Sequence, residues 1–125
     1  MEKYDPEHPL DPEAWLELDE SERVGLVESF HRRARVRLPN PQLHAIIHAI
    51  VENQLALNEP EVVAALARLR SEGLARHDAI HAIGQVLAST MHEGLSGAHG
   101  SDLAAPYRAR LRSLTAEQWL KQEFE

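Results

Sequence analysis

Two short segments of this chain nearly repeat each other. His44-Ala45-Ile46-Ile47-His48-Ala49-Ile50 and His77-Asp78-Ala79-Ile80-His81-Ala82-Ile83 share the pattern His-x-x-Ile-His-Ala-Ile. At about 100° per residue, positions four apart lie one turn apart on the same face of an α-helix, so each segment predicts a helix that displays a histidine pair. With His44 as origin, Leu43, Ile46, Ile47, Ile50, Val51 and Leu55 fill an arc from about −160° to +20°. His44 falls inside that arc and His48 at its edge. Glu52 continues the ridge near +80°, which predicts a solvent-facing carboxylate. Gln54 falls in mid-arc and predicts a buried amide in need of a partner. On the second segment Ile80, Ile83, Gly84, Leu87, Ala88 and Met91 occupy about −120° to +20° from His77, with His77 inside and His81 at the edge. Gly84 removes a side chain where a backbone or a ligand can approach.

The rest of the chain is also patterned for helices. Prolines and glycines fall at boundaries, β-branched runs are lacking, and no stretch alternates apolar with polar residues. Residues 1–10, with Pro6 and Pro9, predict a flexible acidic N-terminal arm, and residues 11–125 a single helical domain. Asp11-Pro12 starts a first short helix, and Asp19 with Glu22 forms a capping box for a second that runs to about Leu38. Asn40-Pro41 opens a third helix to about Leu57, and Asn58 with Glu61 a fourth that ends at Gly73. The fifth is expected from about Ala75 to Met91, although Ala75 is a poor cap. A loop over Gly94–Ser101 follows, then helices from Asp102 to about Leu114 and from Thr115 to Phe124, with Trp119 and Phe124 anchoring the tail. The expected fold is all-α, a compact single-domain array of about five to seven helices.

The absence of cysteine among the 125 residues excludes disulfides, thiolate metal sites and cysteine nucleophiles. No run reaches the roughly 18 apolar residues of a membrane span, and the acidic start lacks a signal-peptide layout, so a cytoplasmic protein with no membrane partner is expected. Residues 1–28 carry ten acids against Lys3 and Arg23, whereas Arg32, Arg33, Arg35 and Arg37 form the one basic cluster of a chain with net charge −7. This balance disfavours nucleic acid as a partner. The arginines either complement a helix C-terminus or meet an acidic partner. A homodimer is compatible with the sequence, but no heptad or symmetric motif demands one.

His31 lies within the apolar stripe of the second helix, and Glu28 precedes it in a Glu-x-x-His spacing. The predicted site pools His44, His48, His77 and His81 around a divalent transition metal (zinc, iron, nickel or copper). His31, Glu28, Glu52, Gln54 and Asp78 serve as additional ligands or orienting partners. Two readings compete with it: a metal-free histidine and carboxylate core in a protein-interaction module, and a pH-sensing cluster. If the site is catalytic, metal-assisted hydrolysis or oxidation is the chemistry it allows. Ala45 stands where a zincin helix carries its glutamate, and phosphate loops, dinucleotide fingerprints and serine elbows are absent. His77-Asp78 resembles the doublet of HD-type phosphohydrolases, with His48 and Asp102 as nominal partners. Adjacent helical residues point about 100° apart, which sets that alternative back.

Across roughly residues 12–90, the chain resembles a family of small bacterial proteins classed as a domain of unknown function. The resemblance rests on Trp15-Leu-Glu-Leu-Asp-Glu, Val27-Glu-Ser-Phe-His-Arg-Arg-Ala34, Leu38-Pro-Asn-Pro, Leu43–Gln54 and Glu72–Gly84. It implies a small helical protein with paired His-x-x-x-His helices and carries no activity with it.

Overall fold

The structure, a computed structural model, describes residues 3–35, 40–95 and 103–123. Its elements are α1 (Pro12–Glu17), α2 (Glu20–Arg33), α3 (Pro41–Ala56), α4 (Pro60–Ser71), α5 (Arg76–Leu95), α6 (Ala104–Ser113) and α7 (Ala116–Glu123). No strand occurs among the described residues, and the fold is all-α. None of these helices is long and apolar enough to cross a membrane.

Most helix starts follow the local chemistry. The Asp11 carboxylate accepts from the Glu13 amide at 3.2 Å, and Asp19 and Glu22 form the reciprocal capping box. Asn40 Oδ1 accepts from the Leu43 amide at 3.1 Å ahead of Pro41. Three boundaries differ from expectation. α2 ends at Arg33, short of the expected Leu38, with Ala34 and Arg35 in a turn and Arg35 left-handed (φ 58°). Asn58 does not cap α4. It takes a left-handed conformation (φ 59°) at the end of α3, and α4 starts on Pro60 behind Glu59 without a side-chain cap. The fifth helix runs to Leu95, a turn beyond the expected stop at Met91. Gly73 is left-handed as expected (φ 106°). Arg37, Asp102, Phe124 and most of the expected Gly94–Ser101 loop lie outside the described residues.

Two apolar regions meet at α3. One joins α4, α5 and α6 through Leu69, Ile80, Ile83 and Leu111, with Val51 from α3 and Trp119 packed at its margin. The other gathers Tyr4, Trp15 and Val27 against Ala45 and Ala49, the small residues that let α2 lie close on α3. Gly84 performs a similar service on the far side. A Cβ there would meet Ile47 Cγ2 at 3.1 Å, so the missing side chain sets the approach of α5 to α3.

The N-terminal segment is docked over Tyr4 and Pro6, where a loose arm was expected. Tyr4 is 1% exposed, and its ring packs on Trp15 and edge-on to Phe30. Glu7 adds a cap that sequence spacing cannot reveal, because its carboxylate accepts from the His77 amide at 2.8 Å and serves the start of α5 that Ala75 leaves open.

Candidate metal centre

Three helices bring five histidines together. His31 comes from α2, His44 and His48 from α3, and His77 and His81 from α5. The His31 and His48 side chains are buried, and the other three are half-buried. Their rings are in mutual contact: centroids lie 4.7 Å apart for His31–His44, 5.2 Å for His31–His48, 4.6 Å for His44–His81 and 5.3 Å for His48–His81. His31, His44, His48 and His81 each offer a ligand atom, and all four atoms lie within 4.8 Å of one another.

The tight group takes in His31, expected in a supporting role, and leaves His77, expected in the quartet, at its edge, although the His77 ring centroid is 4.1 Å from that of His81. Ala45 and Ala49 draw α2 onto α3 and insert His31 among the α3 and α5 rings. His77, in the first turn of α5, lies beside the group with Nε2 3.4 Å from His31 Nε2. The remaining nominees divide. Glu52 is not solvent-facing: it is 0% exposed, because Tyr4, Pro6 and Arg76 cover the ridge that extends beyond His48. Gln54 is half-buried and finds the expected partner, accepting from the Tyr107 hydroxyl at 2.7 Å. Glu28 lines a separate groove with Gly25, Leu26 and Arg32 and does not join the quartet. Asp78 is half-buried, and its charge favours the charged form of His77. Arg32, Arg33 and Arg35 are exposed. The first two bond back to Ser29 in the last turn of α2, the arrangement expected of a solvated helix end.

Proton counting fixes the polarity of the two buried rings. The backbone oxygen of Val27 can only accept, and it lies 2.9 Å from His31 Nδ1. Nδ1 therefore carries the proton, and Nε2 presents a lone pair. Tyr4 has one proton and donates it to Glu52 Oε2. The Tyr4 oxygen, 2.6 Å from His48 Nε2, must then accept, so His48 is protonated on Nε2 and its lone pair sits on Nδ1. That Nδ1 is buried and has no hydrogen-bond partner among the described residues. Glu52 is held as an acceptor by Arg76, whose two terminal nitrogens reach its two oxygens at 2.9 Å each, while Nη1 also donates to the Pro6 carbonyl at 2.9 Å. The chain Arg76–Glu52–Tyr4–His48 thus resembles the outer support of a metal-bound histidine.

Burial is the main reason that all five imidazoles stay neutral. It lowers the pKa of His44 to about 4 and of His81 to about 2, with repulsion from neighbouring histidines adding to the effect. Burial, then the same neighbours, places His48 well below the ordinary value. Burial lowers His31 against the opposing bond to Val27, and it lowers His77 with help from His31 against Glu7, Asp78 and Asp5. Neutral imidazole is the form that ligates metals.

The sequence reading missed Tyr4 and Arg76. Arg76 did leave a signal: at about −100° from His77 it lies inside the apolar arc of α5, where an arginine needs a buried acid. Tyr4 left none, since it lies 44 and 48 residues from its partners. Comparison with family models, curated proteins and solved structures finds no match to this chain.

Proposed function

We propose that the protein binds one divalent transition-metal ion through His31, His44, His48 and His81. The observation that carries this reading is the quartet of imidazole nitrogens within 4.8 Å of one another. Zinc–nitrogen bonds of about 2.0–2.1 Å in a tetrahedron place ligand atoms about 3.3 Å apart, so modest closure of the quartet suffices. His44 Nε2 and His81 Nε2 are already 3.1 Å apart. A metal-free polar core accounts for Tyr4, Glu52 and Arg76 but leaves His48 Nδ1 unsatisfied, at a cost of about 1–3 kcal/mol for a buried polar group. A nitrogen-only donor set suits zinc, nickel, copper or iron.

Elemental analysis of protein purified without a metal-affinity tag tests the reading. Near-stoichiometric metal is expected in the parent protein and in His77→Ala, and its loss is expected in His44→Ala/His81→Ala, with circular dichroism confirming that each variant folds. Chelation lowers the melting temperature of the loaded protein, because a ligand at 100 times its Kd stabilises the native state by about 2.7 kcal/mol. Absence of metal, with no thermal shift on adding zinc, nickel, copper or iron, overturns it.

A further inference from the structure

The histidine quartet borders a cavity of about 420 Å³ between α3, α5 and α7. His44, His48 and His81 line it and His31 does not, so the cluster opens to one side. The remaining wall is mostly apolar, built by Leu43, Ile47, Ile80, Ala88 and Trp119. Its size falls within the range of about 300–1,000 Å³ typical of small-molecule sites. Leu43 is 53% exposed on this wall.

Charge narrows the occupant. Four neutral imidazoles leave both positive charges of a divalent ion uncompensated. Among the described residues no Asp, Glu, Lys or Arg lines the cavity, and Glu52, the buried acid on the same helix, is committed to Arg76 and Tyr4. An ion in this site therefore attracts an anion from the open side, and the wall rewards one that carries an apolar body. We propose that the cavity binds a small monocarboxylate with an aliphatic or aromatic tail, its carboxylate entering from the open side as a fifth ligand of the ion and its tail against Leu43, Ile47 and Trp119. The proposal rests on the metal reading above.

Cobalt(II)-loaded protein supplies a test that separates the two. Its visible d–d bands report the metal alone, and their change on titration reports the carboxylate. Hexanoate is expected to shift the bands saturably and to bind at least tenfold tighter than acetate, while hexan-1-ol leaves them unchanged. Ala88→Trp, which fills the cavity, should retain the cobalt spectrum and weaken hexanoate at least tenfold. Leu43→Asn, at an exposed position that tolerates exchange, should weaken it by a smaller factor. A normal cobalt spectrum with equal affinities for acetate and hexanoate, or hexanoate binding untouched by both variants, overturns the cavity proposal and leaves the metal reading intact. Failure to bind cobalt or the other ions overturns both.

Discussion

Between α4, α5 and α6 the interior is filled by Leu69, Ile80, Ile83 and Leu111, each 0% exposed. Between the N-terminal segment, α2, α3 and the start of α5, positions at most 5% exposed are held by Tyr4, His31, His48, Glu52 and Arg76. The first region gains about 1.5–3 kcal/mol for each aliphatic side chain fully buried, and the attraction has no direction. In the second, each polar group must meet a named partner at a fixed angle, and the desolvation of Arg76 and Glu52 offsets much of their attraction. A fold that needed only stability would fill both regions alike. The polar region instead fixes ring orientations and protonation states, which is what a binding site requires and an apolar core does not.

Paired substitutions break this comparison most severely. Arg76→Met leaves the Glu52 carboxylate buried beside Tyr4 with no cation, and a loss of about 3–5 kcal/mol is expected by chemical denaturation. Combining it with Glu52→Gln should recover part of that loss, because the stranded charge is gone. Ile83→Ala in the other region should cost a comparable amount, about 2–5 kcal/mol, through the cavity it leaves. The two differ in their effect on metal: Ile83→Ala keeps the affinity of the folded protein, whereas Arg76→Met/Glu52→Gln weakens it. Equal metal affinities in the two would show that the polar region is only scaffolding.

Tyr4→Phe is the finer probe, since it keeps the ring contacts with Trp15 and Phe30 and removes one oxygen. Without that oxygen His48 Nε2–H loses its acceptor, and the tautomer that exposes the Nδ1 lone pair loses its support. Losses of partners behind metal-bound histidines typically cost 10- to 100-fold in affinity. Competition against a chromophoric chelator should therefore show a Kd raised by about that factor at unchanged stoichiometry. An unchanged Kd would mean that the ring orients itself.

The aliphatic region was legible in the sequence because its signal is periodic. The positions of Ile80, Ile83 and Leu87 on one arc of α5, and the gap at Gly84, need no knowledge of the partner helix to be read. The histidine pairs were legible for the same reason. Their division into a quartet and a neighbour was not. Whether His31 reaches the α3 and α5 rings depends on how close α2 sits to α3, and the small Ala45 and Ala49 bear on that only once the two helices are known to pack. The solvent-facing expectation for Glu52 failed similarly: a helical wheel measures angle, not what the rest of the chain lays across it. Tyr4, Pro6 and Glu7 cross from another part of the sequence to cover Glu52 and cap α5, and no local pattern announces a contact made over some seventy residues.

A last prediction concerns pH and the metal-free protein. An unfolded histidine titrates near 6.5, whereas burial holds His44 at about 4 and His81 at about 2 in the native state. Below pH 6.5 the unfolded chain therefore binds protons that the folded chain refuses, and stability falls as pH falls. Beyond burial, His31 on α2 and His77 on α5 lower His44, and His77, His44 and His31 lower His81; Glu7, Asp78 and Asp5 act on His77 in the opposite direction. Urea unfolding at pH 7 and at pH 5.5, with chelator present, should give a lower midpoint at the acid value. The difference should shrink in His44→Ala/His81→Ala, which removes two of the groups, and persist in Ile83→Ala, which removes none. A midpoint that does not move between pH 7 and 5.5 would mean that the rings already accept protons in the folded state. The histidine region would then be open to water, and its contrast with the aliphatic core would be one of composition rather than burial.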